Sequence, residues 1–398
     1  MISAQVQVPF SRPFVGEEEI EAIAGVLRSG WLTTGSQAAG FEEEFRNYVG
    51  AGAALAVNSC TAGLNLALSA LNIGPGDEVI TTPLTYCGTI QAIEETGARA
   101  VLCDIGEDLN IDASALHRCL TSRTRAILPV HIAGLPCRME EIWQFAEQHG
   151  LKVIEDAAHA SGAEYNGSPI GSGRSDAVVF SFFANKNMTT GEGGMIVSDS
   201  LELVARMRRM SRHGVQRPAS AGQQSPSWYY EVVDRGMKCN LSDIAAAMGR
   251  VQLQKLPAML RRRTELAGQY CEALSQYEEL ELPPQRADCG HAWHLFIVRL
   301  NLAALAIDRN RFTQEMALRG VECSVHFIPI PLHPYYRDRY TDPAGYAEAF
   351  RQYPRLVSLP LYPGMTDDDV EHVVRSVGDV IATYRAQRPL CDCRRDRT

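Results

Sequence analysis

Lys186 is the residue whose surroundings suggest chemistry first. It sits in the stretch VVFSFFANKNMTTGEGGMIV, which ends at Val197, between an apolar strand and a glycine-rich loop that re-enters an apolar strand. Burial there disfavours the ammonium form, lowers the pKa and leaves a neutral amine able to form a Schiff base with an aldehyde. Taken alone, the segment is equally compatible with a surface lysine in a loop.

Three other segments bear on that choice. In LKVIEDAAHASG a short apolar strand ends in Glu155-Asp156, which places acids at the carboxyl edge of a sheet, where ligands bind. Neighbouring strand residues point to opposite faces, so with Glu155 turned away Asp156 reaches a buried cationic nitrogen and keeps a pyridinium protonated. The competing role for Asp156 is to cap a helix AAHASG, and His159 either touches the same ligand or packs. In LAVNSCTAGLNLALSAL a strand, a polar turn and a helix follow one another, so free amides and the hydroxyls of Ser59 and Thr61 form an anion site suited to phosphate, or simply an N-cap. No GxxxxGK or GxGxxG occurs in that turn. Tyr86, in TPLTYCGT after another strand, stacks on a flat ring above the site or packs. Phosphate anchor, ring stacker, acid and lysine at successive strand ends together describe a pyridoxal phosphate pocket.

The elements that must position these residues alternate between residues 50 and 200. ALAVN, EVITT, RAVLCDI, RAILPVHIAG, LKVIEDAAH, AVVFSFF and GMIVSD read as strands. Between them TAGLNLALSAL, TYCGTIQAIEETG, DASALHRCL and MEEIWQFAEQHG read as helices. Such alternation predicts an α/β fold with a mostly parallel central sheet covered on both faces. After about residue 242 the pattern changes to a long helix interrupted at Pro257, a strand HLFIVRL, a helix RNRFTQEMALRG, a strand VECSVHFI and a closing helix DDDVEHVVRSVGDVIATYRAQ. We expect a large α/β domain over 31–242 and a smaller α+β domain over 243–385. An N-terminal helix within 1–30 should pack on the small domain, and 386–398 should form a flexible tail.

Composition excludes other classes. The 398 residues carry 47 acidic and 38 basic side chains, a net charge of −9, which leaves no positive field for nucleic acid. The uncharged run between Arg46 and Asp77 is broken by polar residues and ended by Gly74-Pro75-Gly76, so no membrane span is expected. The start MISAQVQVPFSRPF lacks signal-peptide character, and the 11 cysteines include no CxxC pair to nominate a metal site. A cytoplasmic location is the expectation.

Six segments in order resemble the DegT/DnrJ/EryC1/StrS sugar aminotransferases. They are SGWLTTG at 29–35, VNSCTAGL at 57–64, GPGDEVITTPLTY at 74–86, VIEDAAHASGA at 153–163, SFFANKNMTTGEGG at 181–194 and GMKCNLSD at 236–243. The likeness runs from about Pro9 to Tyr384 and implies the fold type I architecture. It further implies that Lys186 carries the Schiff base to pyridoxal 5'-phosphate, Asp156 pairs with the ring nitrogen and Tyr86 stacks on the ring. Thr61, Ala62 and Ser181 would hold the phosphate, and His159 would lie near the phenolic oxygen. Asn240 would reach the phosphate of a neighbouring subunit, which implies a homodimer with shared sites. Trp31 and His326 would border the sugar.

In the related dehydratases histidine replaces the lysine, so Lys186 implies transamination, with L-glutamate as the implied donor. The TTGEGG ending resembles that of members acting on carbon 4 of a nucleotide-linked keto sugar; action on carbon 3, or a pyridoxal phosphate sensor without turnover, are the alternatives. Arg212, His213, Arg235 and Lys238 are candidate partners for the nucleotide. Met237 and Cys239 depart from the aromatic residues common in the family.

Overall fold

The computed structural model describes residues 7–217 and 228–386. Apart from Ala386, the tail expected over 386–398 lies outside the described residues, as do the first six residues of the N-terminal segment.

Seven strands form the central sheet: β1 (Ala53–Val57), β2 (Glu78–Thr81), β3 (Arg99–Leu102), β4 (Thr124–Ile127), β5 (Lys152–Asp156), β6 (Ala177–Ser181) and β7 (Gly194–Ser198). Their spatial order is β1-β7-β6-β5-β4-β2-β3. β7 pairs antiparallel with both neighbours, while the pairings from β6 through β3 are parallel. A parallel sheet buries both faces, which is why these strands read as continuous apolar runs; every residue of β6 and β7 is buried. The carboxyl ends of β1, β2, β5 and β6 therefore lie along one edge, where the turns 58–61, 82–86, 157–159 and 182–186 leave the sheet.

Helices close both faces. On one face lies α2 (Ser36–Val49), preceded in the chain by α1 (Glu17–Ser29), and α3 (Cys60–Ala70) and α4 (Cys87–Glu94) follow β1 and β2. Phe45 of α2 meets Phe180 of β6 edge-on with ring centroids 5.0 Å apart, while Leu64 and Leu68 of α3 enter the core on the other face. Gly63 lets α3 approach β6, since a Cβ there would stand 2.7 Å from Val179 Cγ1. Gly194 is required more strictly: a Cβ would meet Phe180 O at 2.8 Å and Cys60 N at 2.9 Å, both backbone atoms.

A 32-residue helix, α5 (Asp243–Leu274), runs from the large sheet to a second, three-stranded antiparallel sheet made of β8 (Leu280–Glu281), β9 (Phe296–Leu300) and β10 (Leu356–Leu359). The expected interruption at Pro257 does not occur. The proline lies on the exposed side of a continuous helix, and buried Leu256 and Met259 on the other side hold its course. Helices α6 (Arg309–Leu318) and α7 (Asp367–Tyr384) cover the second sheet around Tyr270, Phe296 and Phe312. α1 packs against the first half of α5, where buried Glu19 accepts from Gln252 Nε2 at 2.7 Å and pairs with Lys255 at 2.7 Å.

Three local expectations are corrected. VECSVHFI forms single bridges, Val8 to Val321 and Ser324 to Ser358, rather than a strand, because each of its flanks finds a different partner. DASALHRCL is a 3₁₀ turn, Ala113–Ala115, followed by one α-turn, Leu116–Cys119. AAHASG is a turn, so the Asp156 side chain caps no helix. Among the described residues no helix is long and apolar enough to cross a membrane.

Candidate active site

The strand ends converge on a cavity of about 400 Å³ lined by Thr61, Tyr86, Asp156, His159, Ser181, Lys186 and His326 among others. Seven of the expected site residues thus meet in one place, although they come from five turns and both sheets.

Lys186 leaves β6 in the turn Phe182–Lys186, held by Lys186 N donating to Phe183 O at 3.0 Å. Its side chain is half-buried, and Nζ has no hydrogen-bond partner among the described residues. Burial pushes the amine down to about 8, against the opposing pull of Cys60 and Asp156. The surface-loop reading of Lys186 is thereby set aside in favour of a poorly solvated amine.

Alternation along β5 sends its two acids apart. Glu155 turns away, accepts from His131 Nε2 at 2.8 Å and takes the hydroxyl of Ser175. Asp156 faces the cavity, with Oδ2 accepting from Thr89 Oγ1 at 2.8 Å and Oδ1 from Ala158 N at 3.1 Å and Cys60 Sγ at 3.7 Å. Thr89 Oγ1 lies 2.8 Å from Thr85 Oγ1, so α4 supplies a hydroxyl chain that orients the carboxyl. Burial pushes the Asp156 pKa up, while Thr89, Ala158 and Lys186 pull it down. All three donors to it are neutral, so among the described residues no cation is hydrogen-bonded to this buried acid.

Histidines form the opposite wall. His159 Nδ1 accepts from Ala133 N at 3.2 Å, which leaves the ring proton on Nε2. Its ring stacks on Phe327 with centroids 5.8 Å apart and lies 4.4 Å from His294. His326 pairs with Ser358 Oγ at 2.8 Å and stacks on Phe10 at 5.4 Å. Burial and the nearby Lys186 hold His159 and His294 well below the usual imidazole range, and push His326 down to about 4. All three therefore stay neutral around the amine at physiological pH.

At the start of α3, Ser59 caps the helix by accepting from Ala62 N at 3.2 Å. Thr61 and Ser181 line the cavity beside that turn, whereas Ala62 is not among its lining residues and its amide donates to Ser59. Tyr86 is 63% exposed, with its ring 6.3 Å from Phe327. Two further expected residues, Asn240 and Trp31, also stand apart from the cavity. Asn240 donates from Nδ2 to Thr34 Oγ1 at 2.6 Å and receives Lys238 Nζ, and Trp31, 60% exposed, donates to Thr34 O at 3.4 Å. Thr34 thus ties Trp31 and Asn240 into one surface node.

The sequence reading missed Thr89, His294, Phe327 and Asn185 as residues of this cavity. Thr89 stands three residues after Tyr86, one helical turn on, and that spacing was the available signal. His294 and Phe327 come from loops more than 100 positions beyond Lys186 and carried none.

The donor set fits pyridoxal phosphate on observations internal to the chain. The cavity holds an unpartnered, poorly solvated amine, a buried acid without a protein cation bonded to it, and an 11-residue helix whose N-terminal turn faces in beside two hydroxyls.

Known proteins agree with this geometry. The spore coat polysaccharide biosynthesis protein SpsC of Bacillus subtilis is 45% identical over 378 residues, 94% of this chain and 97% of that protein. A putative sugar aminotransferase of Streptococcus pneumoniae, Spr1654, superposes in its PMP form with a TM-score of 0.90 at 32% identity, over 95% of this chain and 100% of that one. Its PLP form gives 0.88 at 31% identity, over 94% of this chain and 99% of that one. Helicobacter pylori PseC, an aminotransferase involved in pseudoaminic acid biosynthesis, gives 0.88 at 28% identity over 94% of this chain and 99% of that one. The architecture is that of fold type I aminotransferases, as the resemblance implied. The model of the DegT/DnrJ/EryC1/StrS aminotransferase family matches residues 13–378, and with the cavity built around Lys186 this places the chain in that family.

Proposed function

We propose that this pyridoxal phosphate-dependent sugar aminotransferase takes its amino group from L-glutamate and places it on carbon 4 of a nucleotide-linked 4-keto sugar. The observation that carries the reading is the neutral-leaning amine of Lys186 in one cavity with buried Asp156. The TTGEGG loop supports carbon 4 by resemblance, and the similarity to SpsC favours amino-sugar supply for a polysaccharide. We place the reaction in the cytoplasm.

Pyridoxal phosphate supplies an aldehyde that condenses with primary amines and a ring that withdraws electrons from the carbon bearing the amine. Lys186 anchors the cofactor and then, as a free amine poised near neutrality, accepts and returns the proton at the reacting carbon. Asp156, oriented by Thr89 and Ala158, holds a proton on the ring nitrogen. Thr61 and Ser181 would hold the phosphate, with Ala62 joining them only if its amide leaves Ser59, Tyr86 would cover the ring and His159 would donate from Nε2 to the phenolic oxygen. Trp31 and His326 border the sugar. The region 31–242 supplies the cofactor residues, and 243–385 brings His326 to the rim.

The test is optical. Adding L-glutamate to the loaded protein should bleach its visible band, and a 4-keto nucleotide sugar should restore it. A return with a 3-keto sugar alone moves the reaction to carbon 3; a band indifferent to every amino donor defeats transamination altogether.

We further propose a homodimer in which Asn240 completes the partner's phosphate site. Exposed Trp31, Trp228, Tyr230 and Val232 lie on the segments that flank Asn240, an apolar surface of the kind that subunits cover. Lys186→Ala and Asn240→Ala proteins should each be nearly inactive alone. Unfolded together and refolded as a one-to-one mixture, they should recover about a quarter of wild-type activity, since half the dimers are mixed and each mixed dimer keeps one intact site of two. No recovery from a confirmed mixed dimer would show that each chain builds its site alone.

A further inference from the structure

Cys103 and Cys119 stand together on the wall of a second cavity, of about 700 Å³, at the outer edge of the central sheet. Cys103 follows directly on β3, and Cys119 ends the single α-turn Leu116–Cys119. The chain between them doubles back through a bridge from Ile105 to Ile111, which sets the two segments side by side. Each sulfur reaches the main chain of the other's segment. Cys119 Sγ lies 3.7 Å from Leu102 O, the carbonyl just before Cys103, and Cys103 Sγ lies 3.6 Å from Asp112 O. The two thiols also hydrogen-bond one another. Asp104, the next residue, accepts from Glu348 N at 2.8 Å and Ala349 N at 3.0 Å, so the second sheet's unit pins this wall in place.

The two sulfurs differ in their surroundings. Cys103 is 1% exposed, and its hydrogen bond to Cys119, its burial and the carboxylates of Asp112 and Asp104 push its pKa far up. Cys119 is half-buried, and the hydrogen bond from Cys103 draws its pKa down against the cost of burial, helped by the charge of Arg118. Arg118 is exposed and makes no ion pair among the described residues. By contrast, burial pushes the thiols of Cys60, Cys137, Cys239 and Cys323 up, and none of these four lines the second cavity. A sulfur that favours the thiolate and opens on a cavity, beside a second sulfur held as a thiol, is the arrangement of an attacking and a resolving cysteine.

We propose that Cys119 and Cys103 form a peroxide-reactive thiol pair that closes to an intramolecular disulfide. The Cys119 sulfur attacks one oxygen of a hydroperoxide. An S–O bond forms, the O–O bond breaks, and the leaving oxygen takes the proton given up by Cys119 and departs as water or an alcohol. Cys103 then attacks the Cys119 sulfur. The S–S bond forms, the S–O bond breaks, and the hydroxide leaves with the Cys103 proton as water. The two thiols together lose two electrons and the peroxide gains them; a dithiol reductant returns the pair to thiols. Neither sulfur lines the cavity around Lys186, so the pair stands apart from the transamination site.

Tryptic mapping tests the pair directly, because cleavage after Arg118 leaves Cys103 in peptide 100–118 and Cys119 in peptide 119–123. The folded, reduced full-length protein is treated with a small excess of hydrogen peroxide, then alkylated in denaturant without reductant. The two peptides should appear joined, and dithiothreitol should separate them. Cys119 should be consumed about 10-fold or more faster than buried Cys137. In Cys103→Ser a sulfenic acid should persist on Cys119 and be trapped by dimedone, whereas Cys119→Ser should leave Cys103 a free thiol. Wild-type protein in which both cysteines are recovered alkylated overturns the proposal, as does a disulfide joining Cys119 to any other cysteine. The wild-type map decides the matter even where a serine variant misfolds.

Discussion

Replacing Lys186 by alanine should abolish the visible absorbance of the loaded protein and slow transamination by about 10³-fold or more, because the anchor and the proton carrier are the same amine. The variant should still fold. Nζ makes no hydrogen bond among the described residues, and its loss relieves a partly desolvated charge rather than breaking a contact. Circular dichroism and the thermal midpoint should therefore stay near wild type while the band disappears. The same amine sets a pH dependence. With its pKa near 8, the fraction of neutral amine rises as pH climbs through that value, so cofactor uptake by the apoprotein should accelerate from pH 6 to about 8.5 and then level off. Uptake that is flat across this range would mean that another group limits capture.

The strand ends were readable because a parallel sheet fixes where each carboxyl terminus goes. Four apolar runs, ending at Val57, Thr81, Asp156 and Ser181, sufficed to bring Thr61, Tyr86, Asp156 and Lys186 to one edge. The alternation Glu155-Asp156 was equally legible, since period two sends one acid to His131 and Ser175 and the other to the cavity. The histidine wall was not. His294 and Phe327 reach the site only through the packing of the second sheet on the first, and no local spacing encodes that meeting. Pro257 misled for a related reason: a proline ends a helix considered in isolation, but tertiary burial of Leu256 and Met259 outweighs one missing hydrogen bond on the exposed side. Asn185 was silent in sequence because an unpartnered buried polar atom is defined by its neighbours, not by its own type.

Asp156→Ala should leave the band formed by Lys186 in place but slow both half-reactions by roughly 10²- to 10³-fold, the equivalent of about 3–4 kcal/mol for removing one partner of a buried charge pair. Retention of the band separates this variant from Lys186→Ala: anchoring needs the amine, whereas proton removal at the reacting carbon needs the ring nitrogen kept protonated. The supporting hydroxyl allows a graded version. Thr89→Val keeps the shape of α4 but removes the 2.8 Å bond to Asp156 Oδ2, leaving Ala158 N and the thiol of Cys60 on the other oxygen. Loss of a donor to a charged acceptor costs about 1.5–3 kcal/mol, so a decline of roughly 10- to 100-fold is expected. That loss lets burial raise the Asp156 pKa further, because Thr89 is the first among the groups that lower it. The carboxyl then stays protonated, and so without the charge that pairs with a ring nitrogen, up to a higher pH, and the acidic limb of the rate profile should move to higher pH in Thr89→Val relative to wild type. Single-turnover rates measured from pH 5 to 9 would show it. A uniform drop with no displacement of that limb would mean that Thr89 acts by packing alone, whereas displacement with the band intact ties the hydroxyl to the charge state of Asp156.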